Sequence, residues 1–307
     1  MSKKILVAGA TGNLGGKIVN ALIEKGADVY AIVRSSTDTK KINELKEKGV
    51  KVSQIDTNNL KEVTQACIGM DCVVSALAGL RDVIIDTQKV LVDAAIEAKV
   101  PRFIPSDYST DFTNLIEGKN RNLDLRREFH KYLVNKPIAV TTIFNGPFMD
   151  LLTGDMPLIV PQITRIVYWA NPNEVMDFTT TFDVAKFTAN VALDSDTPRY
   201  LYIAGDRVSS KDVRDIVSKI MNKEFKMFRV GNIGFLDILI KISKMISPGT
   251  DDLYPAWQGM QYMRDMMEGR VKIQSYDNDR YPNMHWTSVK EFLISENIKE
   301  KYPSGII

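Results

Sequence analysis

Gly9-Ala10-Thr11-Gly12-Asn13-Leu14-Gly15 follows the apolar run Ile5 to Ala8 and opens an amphipathic stretch through Ile18, Leu22 and Ile23. Set between a strand and a helix, the GxxGxxG spacing has a physical meaning. The first glycine permits a tight turn, the second lets backbone approach a pyrophosphate, and the third lets the helix sit close on the strand. The unsatisfied amides and dipole of the helix then face the anion. Gly9, Thr11, Gly12, Asn13, Leu14 and Gly15 are therefore expected to contact a dinucleotide.

Outward from this loop, β-branched runs alternate with helical patterns, the signature of βαβ units and a parallel sheet. Strands are predicted at Ile5 to Ala8, Asp28 to Val33, Lys51 to Ile55, Cys72 to Ala76, Phe103 to Pro105 and Val140 to Phe144. Helices are predicted near Leu14 to Glu24, Thr39 to Lys48, Asn59 to Cys67, Val83 to Ala98 and Leu123 to Val134. The fold class is α/β, a doubly wound parallel sheet followed by a less regular C-terminal part. Residues 1–150 are expected to form the dinucleotide-binding domain and 151–307 mainly a second lobe. Residues 181–222 return to the sheet through a helix at Phe182 to Leu193, a strand at Tyr200 to Ala204 and a helix at Lys211 to Met221. In the lobe, Tyr254, Trp257, Met260, Met263 and Met267 fall on one helical stripe, either core or a wall of the substrate cleft.

Composition narrows the function. Among 307 residues, 40 Lys plus Arg against 38 Asp plus Glu give a net charge of +2, with no charged tail, so nucleic acid is not an expected partner. No apolar stretch reaches the roughly 18 residues of a membrane span. The two cysteines, Cys67 and Cys72, match neither a CxxC pair nor a zinc knuckle. They are read as reduced core thiols of a cytoplasmic protein, and no metal site is expected.

The end of the second predicted strand selects the cofactor. An NAD site places a carboxylate about 20 residues beyond the loop; here Val33 is followed by Arg34-Ser35-Ser36. A guanidinium grips a 2′-phosphate that a carboxylate would repel. NADP(H) is therefore expected, with Arg34, Ser35 and Ser36 as its selectors unless Arg34 is a solvated loop residue. Asp38 stands too far along the loop to reverse this. Ligands of doubly wound sheets lie at the carboxyl ends of strands, which adds Asp56 (or a plain turn aspartate), Ala76, Leu77, Ala78 and Ser106. Asn145, Pro147 and Phe148 fall where a nicotinamide would lie.

The sequence resembles the NmrA-like and isoflavone-reductase-like branch of the atypical short-chain dehydrogenases/reductases. The likeness is carried by Gly9 to Gly15, Val33-Arg34, Gly69-Met70-Asp71-Cys72-Val73 and Arg102-Phe103-Ile104-Pro105-Ser106-Asp107-Tyr108, and continues weakly through Phe178 to Leu193. It implies a Rossmann-type domain over residues 1–150 that binds NADP(H), with a smaller C-terminal substrate lobe, mainly residues 151–307, closing an apolar cleft for a small aromatic or quinonoid substrate. It also leaves an alternative, an NADP(H)-binding redox sensor without turnover, which would act on a protein partner.

Reductases of this branch carry a lysine about a dozen residues before the sixth strand. Counting back from Ile138 reaches Arg126, which cannot be a general acid because its pKa stays above about 12, but can orient the cofactor or polarise a carbonyl. Tyr108, after the fifth strand, and His130, one turn from Arg126, are the other catalytic candidates; a rim tyrosine and a hydrogen-bonded helix histidine are their plain alternatives. Tyr132 and Lys136 have the Tyr-x-x-x-Lys spacing on which an epimerase-like enzyme would depend. Tyr132 is roughly 9 Å farther along the helix than Arg126, toward the amino ends of the strands, so the pair is set aside.

Overall fold

The computed structural model describes residues 2–154 and 158–301. β1 (Lys4–Ala8), β2 (Asp28–Arg34), β3 (Lys51–Ile55), β4 (Cys72–Ser75), β5 (Arg102–Ile104) and β6 (Ala139–Val140) form one sheet in the order β3-β2-β1-β4-β5-β6, every pair parallel. The order reverses between β1 and β4, the switch point at which doubly wound sheets open a crevice.

A strand buried on both faces must be apolar throughout, and its alternate side chains serve different layers. In β1, Ile5 and Val7 pack toward α1 (Asn13–Glu24) and α2 (Thr39–Glu47), meeting Ile18, Leu22 and Leu45. Leu6 and Ala8 pack toward α3 (Leu60–Cys67), α4 (Gln88–Glu97) and α5 (Arg121–Leu133), with Val63, Leu91 and Phe129. Cys67 and Cys72 are free and buried, and burial pushes both thiols up to about 12.

Two elements depart from the sequence pattern. The stretch expected as one strand, Val140 to Phe144, breaks at Thr141 into β6 and β7 (Thr142–Phe144). The break accommodates Arg102, a buried arginine whose guanidinium donates to Val191 O at 2.9 Å, to Thr141 Oγ1 at 3.3 Å and to Thr197 Oγ1. The helix expected from Val83 begins instead with a wide π-helical stretch, Asp82–Thr87, before α4.

Beyond β7 lie β8 (Ile159–Val160), β9 (Arg165–Trp169) and β10 (Val175–Phe178); α6 (Thr181–Leu193) then packs on α1, and β11 (Tyr200–Tyr202) adds parallel to β7. The chain leaves again through β12 (Asp206–Ser209) and α7 (Ser210–Met221), which begins with a capping box between Ser209 and Asp212. Val213, Val217 and Met221 of α7 belong to a second core, so the return to the sheet ends before this helix. β13 (Lys226–Gly231), α8 (Ile233–Ile246) and α9 (Ala256–Met267) add to that unit, with β13 joining β9 and β8 in a three-stranded sheet, and α10 (Val289–Ser295) and α11 (Ile298–Lys301) pack into the same core through Val289, Phe292, Leu293 and Ile298. Trp257, Met263 and Met267 of the predicted stripe are buried there, whereas Tyr254 precedes the helix and is exposed. Asp177 ties the unit together by accepting from Tyr276 Oη at 2.6 Å, Arg207 Nε at 2.7 Å and Ile273 N at 2.9 Å.

Arg102 joins β5 to the last turn of α6 through the dry interior. Replacing it by Met should lower stability by about 2 kcal/mol, read as a reduced urea midpoint at unchanged slope.

Candidate functional site

At the carboxyl end of β1 the chain turns at Gly9, whose φ of +86° is open to glycine, and a Cβ there would stand 2.5 Å from Ala76 O. Gly12 N donates to Gly9 O at 3.0 Å to close the turn. Gly15 packs so tightly that a Cβ would fall 2.1 Å from Gly9 O. Gly12 is the N-cap of α1, no side chain caps the helix, and no acidic residue sits in its first turn. The open amides and the dipole make a receptor for an anion, and a pyrophosphate fits this cradle. Leu14 turns into the core. Asn13 Oδ1 accepts from Lys17 Nζ, which also donates to Thr181 Oγ1 at 2.8 Å on α6.

The turn opens into a cavity of about 230 Å³ between β2, β3 and β4. Gly9, Thr11, Gly12, Arg34, Ala76, Leu77 and Ala78 line it, and Arg34 is exposed at its rim. Ser35 and Ser36 come next on the exposed loop, where Ser35 O accepts from Gln54 Nε2 at 2.8 Å. Asp38, the nearby carboxylate, caps α2 by accepting from Lys40 N at 2.7 Å. Asp56 does not line the cavity; it is exposed and closes a local turn by accepting from Asn58 N at 3.0 Å, while its neighbour Thr57 takes the lining position. Thr37, Val83, Thr87 and Leu91 also line it and were not anticipated. The last three recur every four residues on one helical face, a signal present in the sequence. A more open hollow of about 580 Å³ between the end of α1 and residues 281–285 lies toward the amino ends of the strands, away from the glycine turn.

Ser106 and Arg126 meet beside the groove. Ser106 Oγ donates to Leu77 O at 2.6 Å, and Ser106 N donates to the fully buried Gln88 Oε1 at 3.0 Å. Arg126 donates from Nε to Ser106 O at 3.2 Å and from Nη1 to Asn122 O at 3.0 Å, leaving Nη2 without a hydrogen-bond partner among the described residues. The half-buried guanidinium is thus held at the carboxyl ends of β4 and β5. Asn145 lies just past β7, fully buried, with Nδ2 on Gly146 O and Oδ1 without a partner among the described residues. Pro147 and Phe148 come next, half-buried, and Phe148 packs on the α1 and α6 side of the sheet.

Two catalytic candidates lie away from the groove. β5 ends at Ile104, so strand alternation does not govern the residues beyond it, and Tyr108 turns into the core beneath α6. Burial drives its phenol strongly up, opposed by the Thr188 hydroxyl. His130 is buried under α5, where Nε2 meets Asp107 Oδ2 at 2.5 Å, Thr142 Oγ1 lies 3.3 Å from the ring nitrogen, and Phe112 packs edge-on. Asp107 also accepts from Thr142 Oγ1 at 2.9 Å. Burial acts to raise its pKa, but the charge and hydrogen bond of His130, the Arg126 charge and the Thr142 hydroxyl outweigh it and hold the carboxyl below its usual value. The pair braces the floor beneath Arg126. Tyr132 and Lys136 converge on Asp93, at 2.5 and 2.7 Å, and so fasten α5 to α4.

Comparison with known proteins agrees with this architecture. A model of the NmrA-like family matches residues 1–293. The chain is 26% identical over 303 residues to a probable pinoresinol-lariciresinol reductase 3 of Arabidopsis thaliana, covering 94% of this chain and 96% of that protein. In fold it is similar to a crystal structure of isoflavone reductase, with a TM-score of 0.82 at 20% identity over 96% of this chain and 100% of that one. It is also similar to AtPrR2 with NADP+ and (+)pinoresinol, with a TM-score of 0.77 at 20% identity over 95% and 98%.

Breaking the buried pair by Asp107→Ala should cost about 3 kcal/mol. Because the folded carboxyl titrates below its unfolded value, the contribution is complete above about pH 4 and disappears as the pH falls through the folded pKa. Urea unfolding across this range should show the wild type losing more stability on acidification than the variant does.

Proposed function

The chain belongs to the NmrA-like family, and from that premise we propose that it is an NADPH-dependent reductase of a small, mostly apolar carbonyl or quinone-like compound. The observation that carries the proposal is the pairing of the uncapped glycine turn with Arg34 at the rim of the same cavity, while Asp38 is engaged at the start of α2. The relatives named as pinoresinol-lariciresinol and isoflavone reductases support turnover over a sensor that only binds the cofactor.

In this proposal Gly9, Thr11, Gly12, Asn13 and Gly15 hold the pyrophosphate, Arg34 with Ser35 and Ser36 holds the 2′-phosphate, and Ala76, Leu77 and Ala78 take the adenosine half. Ser106, Asn145, Pro147 and Phe148 border the nicotinamide. Bound NADPH supplies a hydride. Arg126, fixed by two backbone carbonyls, presents its remaining N–H groups to the substrate oxygen and stabilises charge developing there. Residues 1–150 with the returning segment from 181 bind the cofactor, and residues from 151 onward mainly form the substrate wall. The two free thiols favour a cytoplasmic setting.

Fluorescence titration should give NADPH a markedly lower Kd than NADH, and Arg34→Ala should weaken NADPH binding by about 10- to 100-fold with NADH little changed. Equal wild-type affinities would overturn the cofactor assignment. A panel of quinones, enals and aromatic ketones should include compounds that oxidise NADPH; tight binding with no turnover would return the sensor alternative.

A further inference from the structure

Hydride addition to a carbonyl builds negative charge on an oxygen that must gain a proton. Arg126 can attract that charge but has no proton to give, while Tyr108 and His130 are turned into the core. The second unit brings another group to the same place. Four side chains of α9 are fastened to the residues that open α5. Gln258 Nε2 donates to Asn120 Oδ1 at 2.9 Å, and Gln261 Oε1 accepts from Arg121 N at 3.1 Å. Arg264 Nη2 donates to Lys119 O at 2.9 Å, and Asp265 Oδ2 accepts from Asn120 Nδ2 at 2.7 Å.

Tyr262 stands within this clamp, next to Gln261, half-buried against Phe112, Leu123 and Phe144. Its phenol faces Asn122 and Arg126, and Arg126 leads through Ser106 and Leu77 to the wall of the cofactor groove. Burial raises the phenol's pKa, and Arg126 is the largest influence opposing that rise. The titratable groups around it are Arg121 and Arg126 on α5, Tyr254 before α9 and Asp265 on α9. The phenol is therefore protonated at neutral pH, with a cation placed to receive its anion.

We propose that Tyr262 is the proton donor of the reaction, a catalytic residue delivered to the Arg126 face by the clamp between α9 and α5. The assignment rests on the reductase proposal. In the step, hydride passes from nicotinamide C4 to the carbonyl carbon, and the C=O π pair moves onto oxygen. The phenolic O–H bond breaks as its proton joins that oxygen. The carbonyl is reduced to an alcohol, NADPH is oxidised to NADP+, and the phenolate beside Arg126 regains a proton from water.

The test uses the full chain with NADPH and two probe carbonyls, 4-nitrobenzaldehyde and 9,10-phenanthrenequinone. Tyr262→Phe should lower kcat by about 100-fold or more, with KM and NADP+ affinity within about 3-fold and the alkaline limb of the kcat profile lost. A wild type that turns over and a Tyr262→Phe variant that matches it would overturn the assignment and leave the reductase proposal standing. A wild type that binds NADPH but reduces neither probe would overturn both before any variant is made. A second measurement needs no turnover. The phenolate absorbance at 295 nm that Tyr262→Phe removes should titrate at higher pH in Arg126→Gln than in wild type, and an unmoved titration would overturn the pairing.

Discussion

Helix α1 rests on the carbonyl of Gly9 with no room for a single carbon between them. That contact sets the rest of the groove. With Gly15 against the turn, the first-turn amides stand at the carboxyl end of β1, where the strand order reverses and the sheet leaves a crevice. A helix end without a side-chain cap, facing a cavity, favours a negatively charged occupant. The same geometry makes the end of β2 the place where a second anionic group is accepted or refused, and Arg34 occupies it.

The sheet was legible because a strand buried on both faces has few alternatives to β-branched and apolar residues. Ile5 to Ala8 appear within a residue of where that pattern puts them, and the edge strand Lys51 to Ile55, with no fully buried residue, was legible from its place in the strand–helix alternation. The helix at Lys211 to Met221 was legible from its cap as much as from its apolar face, since Ser209 and Asp212 satisfy each other's termini. Side chains beyond strand ends were harder. Tyr108 lies four residues past Ile104, where no periodicity constrains the direction of the chain. His130 shares the helix face of Arg126 in projection, yet it is drawn inward by Asp107, a carboxylate that needed a buried partner. The clamp between α9 and α5 was not legible at all. Its partners stand 138 to 145 residues apart, and nothing local to Asn120 or Gln258 distinguishes a long-range pair from ordinary solvated amides.

The candidate site divides its work between layers. Arg126 is positioned by backbone carbonyls, so its charge remains available to whatever lies in front of it. Behind it, Asp107, His130 and Thr142 form a compact polar group enclosed by Phe112 and Phe144. Charges in a dry interior persist only when they compensate one another, and the arrangement lets a buried carboxylate steady the ground beneath a cation without neutralising it directly. The second unit contributes through α9, whose Gln258, Gln261, Arg264 and Asp265 tie it to the residues that open α5.

The wide stretch between Asp82 and Thr87 has a consequence for how much this segment can vary in length. Regular α-helical winding there would turn Gln88 by close to a full residue step, about 100°, and carry its amide away from Ser106. Val83, Thr87 and Leu91 would rotate relative to one another, so they would no longer present a common surface to the groove. Natural relatives can be expected to exchange side chains in this stretch more readily than to gain or lose a residue.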